Sequence, residues 1–385
     1  MAASVVLDRM RVLAFRAAVS GLHRQATRAS DVPSLALGVQ DSPPGSARLA
    51  FAARTAAPPP GQPDPAGWDD TTSGVSAAWT VRGAPHVHPT PDLPRLAAAL
   101  WPHDDADAAS RLAWNAARTA AAGMSPLEAV RTVAGAVAEA LAEVGEGAGL
   151  AKGALSAAVT ARIPAALSPY CRGCDVEHVG EQLLRVAALA GGAGIARTGP
   201  LVLAPVDSWP GIPEAPAGTA DLVRAYLHLH APATPADVRA FLGTTTTVVR
   251  ACWPGDAVEV EGRRAWALPE DLAALHDPPE PSDVRLLPPH DPLLAGSDRW
   301  LLLPDPALHK AVWRPIGSPG VVLVRGAPAG VWRAKAARAR LDVTVEPFEP
   351  LDTRAQRDLE AEAARVAAVR GLPAARMLVH REGTR

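Results

Sequence analysis

Between Thr219 and Leu268 the sequence runs helix, helix, helix, hairpin, an order that few folds accommodate in so short a span. Apolar residues over 219–230 recur at helical spacing. Thr234-Pro235-Ala236-Asp237 then starts a second helix reaching Leu242, with proline in the first turn, where its missing amide costs nothing. Gly243 turns the chain into a third helix over 245–252. Two strands, 256–260 and 263–268, close a hairpin around Glu261-Gly262. That order is the winged helix-turn-helix, whose third helix lies against nucleic acid. Thr245, Thr246 and Arg250, beside Thr244 and Thr247, would then offer hydroxyls and a guanidinium to phosphates. In a spacer or protein-binding module the same side chains would only be solvated.

Two further segments carry the same vocabulary. Ser125-Pro126-Leu127-Glu128 holds a capping serine, a first-turn proline and a glutamate three residues on, a strong start for a helix to about Val144. Helical patterns follow over 150–167 and 177–190, and a strand over 201–206. Nearer the start, helices are expected over 5–19, 45–56 and 92–100, a loop over 58–70, and strands over 75–82 and 85–88. Beyond Asp283 short strands are expected at 285–287, 301–303, 321–324, 331–333 and 341–345, with a closing helix over 353–370 as a strap. The expected fold is mainly α with small β elements (α+β). Its segments are 1–122, a first winged-helix module with a loop and hairpin; 123–212, a second; 213–282, a third; and 283–385, a β-rich domain with the closing helix.

The formal charge is −2, so no uniformly basic coat advertises nucleic acid. The cations are nonetheless almost all arginine, which grips phosphate and base edges through two parallel donors. They concentrate in the opening stretch at Arg9, Arg11, Arg16, Arg24 and Arg28, the first three expected on the polar face of the helix over 5–19, and at Arg325, Arg333, Lys335, Arg338 and Arg340. Both groups also fit ordinary solvated faces. Three cysteines make no disulfide framework, and MAASVVLDRMRVLAF lacks the apolar core of a signal peptide. A cytoplasmic protein, nucleoid-associated, monomeric and without a membrane span, is expected.

Leu37-Gly38-Val39-Gln40-Asp41-Ser42-Pro43, Trp79 through His88 with Arg82-Gly83 inside it, Asp291-Pro292-Leu293-Leu294, Gly296-Ser297-Asp298-Arg299 and Trp332-Arg333 together resemble the signatures of the AlkZ-type DNA glycosylases. The resemblance spans nearly the whole chain. It implies three winged helices in a C-shaped arrangement with a β appendage, wrapping double-stranded DNA and excising alkylated bases. It also implies a polar, apolar, polar triplet in which glutamines, or a glutamine and an aspartate, position water. Here the triplet is Gly38-Val39-Gln40: Gln40 matches the second polar position, and Gly38 brings no side chain to the first. The implied catalytic set is Gln40, with Asp41 beside it, and His86, which follows the Arg-Gly turn. Arg48, Arg82, His88, Arg333 and Lys335 join Thr245, Thr246 and Arg250 as candidate DNA contacts, although histidines on a short hairpin are more often satisfied surface residues. Trp79 is expected in the core.

A glutamine would suffice for this chemistry. Alkylating a purine ring nitrogen makes the base cationic and a good leaving group, so a neutral amide that holds water near the sugar carbon supplies proximity rather than proton abstraction. The alternative function is a catalytically silent DNA binder, a damage sensor or regulator, which Gly38 favours.

Cys171-Arg172-Gly173-Cys174 with His178 has a spacing that suits zinc, but a fourth ligand is not evident, and a turn before a helix is the leading reading, ahead of zinc and a thiol switch. Cys252 is expected to be buried. Asp104, Asp105 and Asp107 beside His103 read as a capping, solvated turn. No phosphate-binding loop or dinucleotide fingerprint is present, so no cofactor is expected.

Overall fold

A computed structural model describes residues 5–57, 74–145, 148–198, 200–282 and 284–380. The loop expected over 58–70 lies outside them. The chain opens with β1 (Val5–Leu7), α1 (Arg9–Val19), β2 (Val39–Gln40) and α2 (Ser46–Ala52). A hairpin, β3 (Val75–Trp79) and β4 (Pro85–Pro89), leads to α3 (Leu93–Ala99), α4 (Asp105–Leu112), α5 (Ala116–Ala121) and α6 (Pro126–Ala142). Then come β5 (Leu150–Ala151), α7 (Lys152–Thr160), β6 (Tyr170–Cys171), β7 (Val176–Glu177), α8 (Glu181–Ala188), β8 (Ala193–Thr198) and β9 (Leu201–Pro205). The next stretch holds α9 (Thr219–Leu229), α10 (Pro235–Leu242), α11 (Thr246–Ala251), β10 (Asp256–Val260), β11 (Arg263–Ala267) and α12 (Leu272–His276). The chain ends with β12 (Val284–Leu287), α13 (Arg299–Leu302), α14 (His309–Val312), β13 (Gly320–Val324), β14 (Ala327–Ala337), β15 (Arg340–Pro347), α15 (Thr353–Val369) and β16 (Ala375–Val379).

These elements form two compact units, both discontinuous in sequence: Met1–Pro65 with Arg224–Asp237 and Pro254–Arg385, and Ala66–Val223 with Val238–Trp253. The segment 213–282 is therefore shared between them.

The first unit is built on a five-stranded sheet in the order β12-β13-β14-β15-β16, antiparallel except where β16 runs parallel to β15. Helix α15 covers one face. Asp352 caps it by accepting the Ala355 amide at 2.7 Å, and Ala355, Leu359, Ala363, Val366 and Ala367 form one apolar stripe packed with Val343, Val345 and Trp332. On β14 the Trp332 indole donates to the Leu287 carbonyl at 2.7 Å. Gly320 lies so close beneath this ring that a Cβ there would fall 2.3 Å from its nitrogen. Leu13 and Ala17 of α1 enter a second cluster with Leu287, Leu302 and Val321, while Leu7, Val12 and Phe15 join Val258, Val260 and Leu275 in a third.

In the second unit α6 begins with the expected reciprocal cap, Ser125 Oγ accepting the Glu128 amide at 3.3 Å and Glu128 accepting the Ser125 amide at 3.4 Å. Strands β8, β9 and β5 are antiparallel neighbours in that order, and β3 pairs with both β4 and β8.

Several expected elements come out differently, each for a local reason. The opening segment is a strand before it is a helix: β1 pairs in parallel with β10, and Asp8 starts α1 by accepting the Met10 and Arg11 amides at 2.8 and 3.1 Å. The apolar run 301–303, expected as a strand, lies mostly in the short helix α13, since three apolar residues show no period. The helix expected over 150–167 ends at Thr160, before the breaker Pro164, and that over 177–190 starts only at Glu181. Strands β8 and β16 carry too little alternation to have been expected.

Candidate active site and nucleic-acid interface

In the first unit the stretch 37–41, ahead of α2, is almost wholly buried. Leu37 and Val39 point into the core, Gly38 and Asp41 are buried, and Gln40 is half-buried; Ser42 to Gly45 then run at the surface. Gly38 holds φ at +86°, a left-handed conformation in which a side chain would be strained. The position corresponding to the first polar residue of the triplet is thus a backbone turn. Asp41 is 1% exposed, and its Oδ1 accepts the Ala47 amide at 3.0 Å, so its carboxylate is engaged at the start of α2.

Arg48, only 7% exposed on α2, lines a pocket of about 640 Å³ together with Ser46, Gly317, Trp332, Arg333 and Arg370. Two of the candidate DNA contacts, Arg48 and Arg333, therefore share one wall, and Arg333 also donates to the Gly317 carbonyl at 3.0 Å. Lys335 is exposed two residues further along the same strand, hence on the same face. Arg370 was not foreseen, since it lay within the expected strap helix. Burial pulls its pKa below that of a free guanidinium.

Among the arginines at the start of the chain only Arg11 and Arg28 are exposed. Arg16 is fully buried, ion-paired with Asp298 and donating to the carbonyls of His230, Ala231 and Pro232. Arg9 donates to the carbonyls of Leu301 and Leu302, Arg11 to that of His276, Arg24 pairs with Glu362 and Arg28 with Asp31. In the later cluster Arg325 pairs with Asp352 and Arg340 with Asp342. Asp291 is matched by Arg54, both fully buried. The carboxylates of both aspartate motifs, Asp291 and Asp298, are thus framework ion pairs.

In the second unit the β3–β4 hairpin turns through Arg82 and Gly83, both at positive φ, 56° and 70°. Arg82 is exposed, its guanidinium carbon 5.8 Å from the Phe241 ring centre. It borders a pocket of about 280 Å³ with Trp79, Thr80, Arg111, Trp114 and Gln182. His86 and His88, alternate residues of β4 and so on one face, are buried rather than on the surface, 3% and 1% exposed. His86 Nδ1–H donates to the Ala84 carbonyl at 2.9 Å, making Nε2 the lone-pair nitrogen of the neutral ring. His88 Nε2 bonds the Thr80 hydroxyl at 3.0 Å. Trp79 is in the core, as expected, beneath Arg185. Trp114, 72% exposed at the pocket rim, went unrecognised, as an isolated aromatic in a polar turn carries no signal.

Asp107 departs from the solvated turn expected. It is fully buried and accepts from Thr244 at 2.6 Å, from the His103 amide at 3.0 Å and from Arg111 at 3.2 Å, while Asp104 caps α4. Burial lowers the pKa of Arg111, and Asp107 offsets this. Thr244 is therefore turned inward. Thr245 caps α11 by accepting the Val248 amide at 3.3 Å, leaving Thr246 half-exposed and Thr247 and Arg250 exposed along the helix.

Cys171, Cys174 and His178 lie together, their ligand atoms all within 4.8 Å of one another. Hydrogen bonds from the His178 ring and from the amides of Cys174 and Gly173 lower the Cys171 thiol to about 7. Cys252 is half-buried, its thiol donating to the Val248 carbonyl at 3.1 Å and pushed up by burial.

Among the described residues no helix is long and apolar enough to cross a membrane. The sequence matches the family model described as DNA glycosylase AlkZ-like over residues 35–369. The fold is similar to that of the Streptomyces sahachiroi DNA glycosylase AlkZ, with a TM-score of 0.71 and 24% identity over 96% of this chain and 99% of that one. A search of the curated proteins gives no match.

Proposed function

The chain belongs to the AlkZ-like DNA glycosylase family, and from that premise we propose that it binds duplex DNA and hydrolyses the N-glycosidic bond of alkylated bases, with Gln40 positioning the attacking water. The single observation that carries this reading is the exposure pattern of 37–41: in a segment otherwise buried, Gln40 is the side chain left partly open. Its amide can both donate to and accept from a water molecule. Asp41 supports the site from behind, its carboxylate fixing the first turn of α2. His86, buried on β4 with Nδ1 donating to the Ala84 carbonyl, is the other polar side chain of the proposed catalytic set.

DNA is held in this reading by winged helices. Support comes from α6, β5, α7, α8, β8 and β9, which, apart from the β6–β7 ribbon between α7 and α8, run as helix, strand, helix, helix and hairpin, with β5 pairing the outer hairpin strand. The series α9, α10, α11, β10, β11 repeats it, with Ala233 bridging β11 in the place of β5. Backbone contacts would fall to Arg48, Arg82, Arg250, Arg333 and Lys335.

A second reading, a silent DNA binder acting as damage sensor or regulator, is favoured by Gly38. The test is base release from duplex DNA carrying N7-methylguanine. The wild type should generate abasic sites and Gln40→Ala should do so about 10²-fold more slowly, the loss typical of a misplaced reactant. Tight binding without base release by either protein on this or bulkier N7 adducts would leave the silent reading.

A further inference from the structure

We propose that Cys171, Cys174 and His178 bind a zinc ion that pins the β6–β7 hairpin to the start of α8. Residues 170–177 form a ribbon of only two residue pairs, Tyr170 with Glu177 and Cys171 with Val176. A two-stranded ribbon of this size is not stable on its own in water. Nor does it have a core, since Tyr170 is 57% and Val176 52% exposed. Something other than apolar burial must hold it, and the hairpin carries two thiols and an imidazole facing one another.

The local geometry is that of a metal-binding knuckle. The turn closes with the amides of Cys174 and Asp175 donating to the Cys171 carbonyl at 3.2 and 2.8 Å, and Asp175 takes φ +58°. His178 Nδ1–H donates to the Val179 carbonyl at 2.8 Å, which fixes the ring and leaves Nε2 to ligate, the outer-shell pattern common to metal-bound histidines. Behind the imidazole the chain is anchored, the Val179 amide donating to Thr160 Oγ1 at 2.9 Å and the Gly180 amide to the Leu167 carbonyl at 3.1 Å. A shared ion would thus tie the ribbon to a fixed post, His178, three residues before the start of α8.

Two thiolates and one imidazole select a soft, tetrahedral ion, for which zinc is the prime candidate. With metal–sulfur bonds of about 2.3 Å, the ligand atoms need to close in by about 1 Å at most. Among the described residues no further His, Cys, Asp or Glu joins the group, so water takes the fourth position. Binding displaces the two thiol protons to solvent and changes no oxidation state.

The test uses the full chain. Metal content of the protein as isolated should be one zinc per chain, falling to less than about a tenth in Cys171→Ser/Cys174→Ser, in which Cys252 remains. The metal-stripped, reduced wild type titrated with Co²⁺ alone should show a thiolate-to-cobalt charge-transfer band and tetrahedral visible bands; the double variant should show neither, and His178→Ala should alter the visible bands. Circular dichroism confirms that the variants fold, as an exposed hairpin permits. Absence of the charge-transfer band in the reduced wild type would overturn the proposal. So would equal metal content in the double variant, or a Cys171–Cys174 disulfide in the isolated protein with no cobalt uptake after reduction.

Discussion

Arg54 and Asp291 face each other as a two-pronged ion pair, Nη1 to Oδ2 at 2.8 Å and Nη2 to Oδ1 at 2.7 Å, with neither side chain exposed to solvent. Arg54 also donates to the carbonyls of Ser20 and Ala50, and Asp291 accepts the Leu293 amide. The pair joins the loop after α2 to the segment before α13, residues 237 apart in sequence. Removing one partner strands the other in a dry interior. Asp291→Leu or Arg54→Met should destabilise the first unit by about 3–5 kcal/mol, while the double replacement Arg54→Met/Asp291→Leu should recover much of that. Urea denaturation of the four proteins reads the cycle; a single variant losing under about 1 kcal/mol would contradict it.

His228 and His230, two residues apart near the end of α9, should give stability opposite pH dependences. His228 is hydrogen-bonded to Asp271, which raises its pKa above the usual value despite partial burial. Its contribution is complete below about pH 6.5 and fades as pH rises through the raised value. His230 is fully buried, stacked on Tyr226 at 4.6 Å, and burial, reinforced by Arg16, lowers it to about 3. The unfolded chain takes up that proton below about pH 6.5 while the folded one does not, so stability falls as acid is added. His228→Gln should lose stability mainly at the acid end of the range 5–8, and His230→Phe should flatten the acid limb. Thermal melts across that range decide, and parallel curves for all three proteins would refute the assignment.

Gly38→Gln restores the side chain that the family triplet carries but forces it onto a backbone at φ +86°. The cost should be about 1–2 kcal/mol, with no gain in base release. Melting temperature and a glycosylase assay on the same preparation test this. A variant both as stable as wild type and faster at base release would mean that the glycine is not there for its conformation.

Salt dependence separates cations that meet phosphate from those already paired with a carboxylate. Arg333→Ala and Lys335→Ala should each reduce the slope of log affinity against log salt by about 1, whereas Arg28→Ala, whose guanidinium is spent on Asp31, should leave it unchanged. Identical slopes in all variants would remove Arg333 and Lys335 from the interface.

What was legible in the sequence depended on whether a residue's neighbours lay close by in the chain. The Ser125 cap of α6, the hairpin at Arg82-Gly83 and the helix order from Thr219 onward are written in local spacing, and they stand as expected. The fate of the arginines was not legible. Arg16 looks like any other cation on a helix until Asp298, 282 residues later, is brought beside it. For the same reason the sequence around Asp107 reads as a solvated cap, whereas the residue is the acceptor at the centre of a buried network. At the candidate site, Gln40 and Gly38 were recognisable by resemblance, but the torsion that excludes a side chain at Gly38 is a property of the folded backbone.

The discontinuity of the first unit bears on how the protein emerges from the ribosome. Helix α1 is synthesised well before the residues it depends on, since the acceptors for Arg16 and much of the cluster around Leu13 are supplied by residues beyond 224 and 284. Until those have been translated, Leu13, Phe15 and an uncompensated guanidinium remain exposed on the nascent chain. The second unit, which ends at Trp253, can condense meanwhile, lacking nothing made later. A stalled or truncated product would accordingly carry one finished body behind a sticky leader, a natural substrate for holding chaperones.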